Sequence, residues 1–408
     1  MNYIPFKSTD ILIPKNTNMN KWSVVACDQY TSEPEYWEKV KEYVGDNIST
    51  LNLIFPEVYL EQNGAEARIR KINETMKLFC EANVFDTYED SLIYVERTVL
   101  NGKIRKGIVG AVDLEHYDYN KGSKSLIRAT EGTVLERIPP RVKVRINAKL
   151  ELPHIMLLID DKDNLVFKSI DKEKGKKVYD FDLMCDSGHI TGYAIDGNDV
   201  LKQLDILYNK TKSDNHMLFA VGDGNHSLAT AKECWEQIKA TLTDDEIKTH
   251  PARFALVELV NIHDSSLEFE PIHRVVFDCD VDHLIKSLKE FYPASNEDGN
   301  GQKITYVYGD IKKEIYIPDG KSQLTVGTLQ IFLDSYLNAN KGKIDYIHGD
   351  DVTVNLARQD NAIGFLLPAM EKSQLFPTVI ADGALPRKTF SMGEAWEKRF
   401  YLECRKVR

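Results

Sequence analysis

Six consecutive residues, Gly222-Asp223-Gly224-Asn225-His226-Ser227, put a carboxylate, an imidazole, an amide and a hydroxyl on one short turn between two apolar runs. The run before it, Met217 to Val221, has strand character. The run after it sets Leu228, Ala231, Cys234, Trp235, Ile238 and Leu242 on one helical face, with Lys232, Glu233, Glu236 and Lys239 mostly away from it. A strand that ends in a glycine-bearing turn and feeds a helix aims backbone N–H groups and the positive end of the helix dipole at one point, where a phosphate fits. An Asp-Gly turn with an Asn or Ser helix cap fits the same residues and needs no ligand.

A second concentration of chemistry lies upstream. Residues 128 to 149 hold Arg128, Arg137, Arg141, Lys143, Arg145 and Lys149 against Glu131 and Glu136. From Arg141 to Ile146 cations alternate with aliphatic residues, and the alternation predicts a strand with three cations on one face. Such a face needs an anion among its cations, which could be a ligand or carboxylates from a neighbouring strand. Glu131, in Arg128-Ala-Thr-Glu-Gly-Thr133, is embedded in this basic stretch. It could take a proton from a substrate alcohol near a bound phosphate, or serve as a salt-bridge partner.

Two further loops carry cations. Ala381 to Thr389 ends an apolar run in a proline-stiffened turn followed by Arg387-Lys388-Thr389, a trio able to hold phosphate or carboxylate oxygens. Glu270-Pro-Ile-His273-Arg274 is similar, with His273 either structural or functional.

These groups need a scaffold. The chain has 408 residues, enough for two or three domains with a buried core. With 52 lysines and arginines against 63 acidic residues its net charge is −11, which argues against a dedicated nucleic-acid binder and makes a local basic cluster stand out. Six scattered cysteines without a Cys-x-x-Cys pair fit reduced thiols better than disulfides or structural zinc. The N-terminus lacks a signal-peptide apolar core and no window has the length of a membrane span, so a cytoplasmic protein is expected. Oligomeric state is left open.

The expected elements are strands at 22–27, 91–100, 103–112, 150–159, 217–221 and 253–262 and helices at 34–44 and 66–82. Asn101-Gly102 is expected to turn a hairpin. In the last third, helices are expected at 281–291 and 326–337 and strands at 304–308, 314–317, 344–347 and 363–367. The order is a mixture of strands and helices around one core rather than a clean βαβ repeat.

Taken together, Ala-Thr-Glu131-Gly-Thr, Asp223-Gly-Asn-His-Ser227 and Pro386-Arg-Lys-Thr389 resemble domain-of-unknown-function family 1015, whose members carry His-Glu-x-Thr, Asp-Gly-His-His-Arg and Pro-Lys-Ser/Thr-Thr in that order. Pro271-Ile-His-Arg274 and Gly327-Thr-Leu extend the match over most of the chain. More distantly, the segments resemble the free serine kinases of archaea, in the ParB and sulfiredoxin superfamily. The resemblance implies an α+β fold: a mixed-sheet ParB/sulfiredoxin-like catalytic core over 106–275, with an α/β region before it (1–105) and another after it (276–408) that completes the site.

It also implies a phosphotransferase that converts a small alcohol, free L-serine, to its phosphate ester, using Mg²⁺ with pyrophosphate, ATP or ADP as donor and acting on no nucleic acid or membrane. Glu131 would be the catalytic base. Asp223 and His226 would join it, with Asp223 on the metal. Gly224, Asn225, Ser227, Arg141, Arg145, Lys388 and Thr389 would bind phosphate, and Arg128, Thr133, Arg387, His273 and Arg274 would lie on the substrate side.

The sequence departs from the pattern at three positions: Ser227 replaces the signature arginine, Asn225 the first histidine, and Thr130 the histidine before the glutamate. Losing that arginine removes a bidentate phosphate clamp. No Walker-type loop is present, and an arginine-rich site suits pyrophosphate. A phosphatase acting on phosphoserine and a ParB-like nucleotide-dependent DNA-binding protein are the rival readings. A sulfiredoxin-like reductase would need a cysteine where Asn225 stands.

Overall fold

The computed structural model describes residues 2–60, 62–99 and 102–408. The chain forms two compact units. Unit 1 comprises residues 1–129, 133–267 and 394–408; unit 2 comprises 130–132 and 268–393.

Unit 1 is built on a sheet of eleven strands: β1 (Phe6–Lys7), β2 (Thr9–Pro14), β3 (Phe85–Thr98), β4 (Ile104–Asp113), β5 (Tyr117–Asp118), β6 (Ile127–Ala129), then, past a separate short strand β7 (Leu150–Glu151), β8 (Met156–Ile159), β9 (Lys176–Asp182), β10 (His189–Ile195), β11 (Phe219–Asp223) and β12 (Phe254–Asn261). Its path runs β5-β6-β11-β8-β12-β4-β3-β10-β9, with β1 also on β4 and β2 on β3. Pairing is mixed: β11 runs parallel to β6 and antiparallel to β8, and β12 runs parallel to β8 and antiparallel to β4.

Both faces of this sheet are covered. On one, Leu157, Val221 and Val257 pack with Leu228, Ala231 and Trp235 of the helix Asn225–Lys239; on the other, Ile93, Val95, Val109 and Leu256 pack with Trp37, Val40 and Val44 of the helix Pro34–Val44. A strand covered on both faces is mainly apolar, and β12 is buried along its whole length, with Glu258 and Asn261 as its two polar residues. Each fully buried leucine or valine here stabilises by roughly 2 kcal/mol relative to exposure.

Unit 2 has its own sheet of β13 (Phe269–Phe277), β14 (Gln302–Tyr308), β15 (Ile311–Ile317), β16 (Lys343–His348), β17 (Ile363–Leu366) and β18 (Phe390–Met392). The order is β15-β14-β17-β13-β16, with β18 on β13. The helices Val281–Phe291 and Thr325–Ala339 bury Leu284, Leu288, Leu329, Phe332 and Leu333. The last strand, β19 (Arg405–Lys406), pairs with β7 in unit 1.

The mixed-sheet α+β expectation holds. Residues 105 and 275, where the sequence pattern set its domain boundaries, fall inside β4 and β13. The stretch read as a strand at 22–27 is instead irregular: Trp22 ends the helix Met19–Trp22, and Val25 makes a single bridge to Phe400. The strand read at 150–159 divides into β7 and β8 around Pro153, which has no N–H for a ladder. β3 and β4 pair antiparallel as a hairpin; Leu100 and Asn101, and with them the first residue of the expected turn, lie outside the described residues. Among the described residues no helix is long and apolar enough to cross a membrane.

Candidate functional site

In unit 1 the motif has the predicted strand-turn-helix form. β11 ends at Asp223, and Gly224 takes a left-handed φ of +78° before the helix Asn225–Lys239 begins. A Cβ at Gly224 would sit 3.0 Å from Cα and Cγ1 of Ile155, so both the backbone conformation and the close approach call for glycine. The Gly224 N–H donates to Asp223 Oδ1 at 2.9 Å, and the ammonium of Lys398 lies 3.3 Å from Asp223 Oδ2. The helix therefore opens toward a half-buried carboxylate that a lysine holds from its other oxygen. His226 Nε2 accepts the Val134 N–H at 3.4 Å, and the His226 carbonyl accepts from Thr230 Oγ1.

Ser227 faces inward. Its Oγ is 2.9 Å from Nε2 of the buried His154, whose Nδ1 is 2.8 Å from the Tyr401 hydroxyl. Asp28 Oδ2 lies 3.6 Å from the same Nε2. Burial alone would lower the His154 pKa, but the charge and hydrogen bond of Asp28, with Asp223 and Glu57 behind it, raise it above the usual histidine value. Burial likewise opposes ionisation of Asp28, and His154, Gln29 and Lys398 together outweigh it, so its carboxyl is held well below the usual range. His154 and Asp28 thus favour each other's charged forms beside the motif turn.

Behind them is a mostly apolar cavity of about 140 Å³, walled by Phe55, Met76, Val144 and Leu152 with Ser227 and Tyr401 at its polar side.

The cation stripe is corrected. Arg141 to Arg145 belong to a helix, Ile138–Arg145, not a strand: Pro139 and Pro140 occupy its first turn, where proline is well tolerated. Arg141 is gripped by both carboxylate oxygens of Glu57, with Nε at 2.7 Å from Oε1, and Arg145 pairs with Glu151 at 2.5 Å. Carboxylates are thus the anions this stripe faces. Glu151 also receives Arg405 Nε at 2.6 Å, and the two arginines overcome its burial to keep its pKa low. Arg128 is buried and donates to the carbonyls of Ser125, Asn215 and His216, so its guanidinium is committed to backbone. Thr133 Oγ1 is shut from solvent with no hydrogen-bond partner among the described residues.

The remaining expected residues gather in unit 2. The Leu385 N–H donates to the Thr130 carbonyl at 2.7 Å, and Glu131 and Leu385 form a parallel bridge, which brings half-buried Glu131 alongside the 385–389 loop. Arg274 is fully buried and donates to the carbonyls of Lys388 at 2.9 Å and Arg387 at 2.8 Å, and to Gln330 Oε1 at 3.1 Å. Its burial lowers its pKa to about 10. Arg274 therefore shapes the loop from beneath. The loop's Lys388 has a left-handed φ of +54°, Thr389 Oγ1 turns back to the Pro386 carbonyl at 2.6 Å, and the Arg387 guanidinium lies 3.4 Å from Asp334 and over Tyr346. His273 is buried between Asp350 Oδ1 at 2.7 Å and the Leu367 N–H at 3.1 Å, and burial lowers its pKa. Its two nitrogens are used structurally.

Asp28, His154, Tyr401 and Lys398 were not among the expected site residues. A lone histidine in Leu152-Pro-His-Ile-Met156 was the available signal for His154; Lys398 has none, because its partner is far away in the chain. As for Mg²⁺, the motif offers one carboxylate whose oxygens are already met by an N–H and an ammonium. That donor set does not by itself build the octahedral oxygen cage the ion demands.

The family described as "Protein of unknown function (DUF1015)" matches residues 4–362. No curated protein matches the chain. Among solved structures, a free serine kinase in complex with AMP is similar at 10% identity and a TM-score of 0.38, over 73% of this chain and 91% of that one. SbnI with a C-terminal truncation, from Staphylococcus aureus, is similar at 11% and 0.36, over 72% and 82%. A conserved hypothetical protein from Pyrococcus furiosus is similar at 12% and 0.36, over 73% and 94%.

Proposed function

The chain belongs to that family, and from this premise we propose that it is a phosphotransferase that moves a phosphoryl group from pyrophosphate, ATP or ADP to a small alcohol, free L-serine first among them, in the cytoplasm. The observation that carries the reading is the Gly224 turn: a helix N-terminus opening beside a carboxylate and a lysine, where the sequence also places an imidazole and short polar side chains.

The chemistry asks little covalent help from the protein and much positioning. The donor's terminal P–O bond breaks as a new bond forms between serine Oγ and phosphorus, and inorganic phosphate, ADP or AMP leaves accordingly. The N–H groups at the start of the helix Asn225–Lys239 hold the phosphoryl oxygens. Glu131, in the role the resemblance gives it, orients the hydroxyl and accepts its proton late, when transfer has made it acidic. The resemblance gives Lys388 to the phosphate and Arg387 to the acceptor's carboxylate. Any Mg²⁺ would have to be carried by the donor phosphates, since both oxygens of Asp223 are already met.

The stripe that a DNA-binding reading would use is paired with Glu57 and Glu151, which favours a small-molecule site. Purified protein incubated with L-serine, Mg²⁺ and each of ATP, ADP and pyrophosphate should form O-phosphoserine with one of them. No product from any donor, and no loss of O-phosphoserine that depends on phosphate, ADP or AMP in reverse, would remove the kinase reading; release of phosphate from O-phosphoserine to water alone would make it a phosphatase.

A further inference from the structure

We propose that Lys398 is the cation that contacts the transferred phosphoryl group, filling the charge left open by Ser227. The inference rests on the phosphotransferase reading and adds to it a residue for which the motifs give no role.

Ser227 cannot clamp a phosphate as an arginine would, and its hydroxyl is committed to His154. The nearby arginines are committed too: Arg141 to Glu57, Arg145 to Glu151, Arg128 to three carbonyls. Lys398 is paired as well, but with the motif's own carboxylate. Its side chain is mostly buried yet reaches the motif, with Nζ 3.3 Å from Asp223 Oδ2.

The backbone that delivers it is fixed from two sides. Buried Arg97 donates to the carbonyls of Trp396 at 2.7 Å, Glu397 at 2.9 Å and Lys398 at 2.6 Å, and Arg105 adds a bond to the Glu397 carbonyl at 3.1 Å. The next residue, Arg399, is anchored by Glu258 and Glu403. Burial disfavours the charged form of Arg97 and lowers its pKa, so using it to tether three successive carbonyls is a costly arrangement whose effect is to fix where Lys398 starts. A lysine on a fixed backbone beside a helix N-terminus is placed as a point charge for phosphate.

Charge balance gives the same answer. A phosphate arriving at the helix N-terminus meets the Asp223 carboxylate, and two anions at that separation repel. An ammonium already paired with Asp223 can bridge both, keeping the carboxylate neutralised while donating to a phosphoryl oxygen. This requires no carboxylate cage for a metal.

The test is pyrophosphate and ADP binding by calorimetry on the full chain, for wild type, Lys398→Ala, Lys398→Met and Lys398→Arg, with melting curves on each and turnover on the donor that works. Losing a charge-assisted contact predicts affinity about ten- to a hundred-fold weaker in the alanine and methionine variants, with arginine within a few-fold of wild type. Methionine keeps the packing of the lysine stem, so it reports on charge if alanine melts early. Wild-type affinity in a folded methionine variant, or no binding of either probe by wild type, overturns the assignment. Lys398-dependent binding without O-phosphoserine from any donor leaves Lys398 as an anion ligand and removes the kinase reading instead.

Discussion

Ser227 Oγ lies 2.9 Å from Nε2 of His154, so the residue standing where the resemblance expects an arginine is turned into the protein interior rather than toward an anion. Its work is to hold the ring that in turn faces Asp28. Ser227→Ala should therefore lower stability by about 1 kcal/mol, the net value of one hydrogen bond, and leave pyrophosphate affinity within two-fold of wild type. Urea unfolding and calorimetry on one preparation check both; a ten-fold loss of affinity with unchanged stability would place the hydroxyl on the phosphate.

The His154 and Asp28 pair sets a pH window. The folded-state pKa of His154 is raised, so its stabilisation is complete below the unfolded value of about 6.5 and is lost as pH rises through the folded value. The pKa of Asp28 is depressed, so its contribution is complete above about 3.9 and is lost as pH falls through the folded value. These are two sides of one interaction, at full strength between about pH 4 and 6.5. The melting-temperature gap between wild type and Asp28→Asn should be widest in that window and narrow as pH rises through the raised pKa of His154. A gap independent of pH would mean that the pair is not ionised.

Glu131 is the base proposed for the acceptor hydroxyl. Glu131→Gln keeps the shape and the bridge to Leu385, which is made by backbone, and removes the proton acceptor. Turnover should fall by about 10² to 10⁴-fold, with donor affinity unchanged, as single-turnover kinetics and calorimetry would show. Equal loss of donor affinity would make Glu131 a binding group instead.

What the sequence made legible follows from how local each signal is. The motif turn and its helix were readable because one strand, one glycine with positive φ and one apolar helical face are all determined within about twenty-five residues; Leu228, Ala231 and Trp235 do enter the core. The helices Pro34–Val44 and Val281–Phe291 were readable for the same reason. Lys398, Asp28 and His154 were not, since what defines them is convergence of distant segments. The expected roles of Arg128, Arg274 and His273 failed to separate function from structure: a buried arginine that caps carbonyls looks, in sequence, like one that waits for substrate. The stretch 176–211 drew no prediction, although it forms β9, β10 and the helix Asn198–Thr211.

The stripe Arg141-Val-Lys-Val-Arg-Ile shows how periodicity misleads. Residues four apart share a face in a strand and nearly share one in a helix, so Arg141 and Arg145 point together either way, and alternation cannot choose between them. The preceding Ile138-Pro139-Pro140 could have chosen, because prolines suit the first turn of a helix and interrupt a ladder. The consequence is functional. Burial raises the Glu57 pKa against the pull of Arg141, so removing the arginine leaves a carboxylate that would rather be protonated. Arg141→Ala should lower stability by about 3 kcal/mol at neutral pH, and Glu57→Gln added to it should recover much of that loss. Neither change should alter pyrophosphate affinity more than two-fold. A double-mutant cycle read by urea unfolding, with calorimetry on each variant, separates the cases: a large affinity loss in Arg141→Ala that Glu57→Gln does not reproduce would put the guanidinium on the phosphate after all.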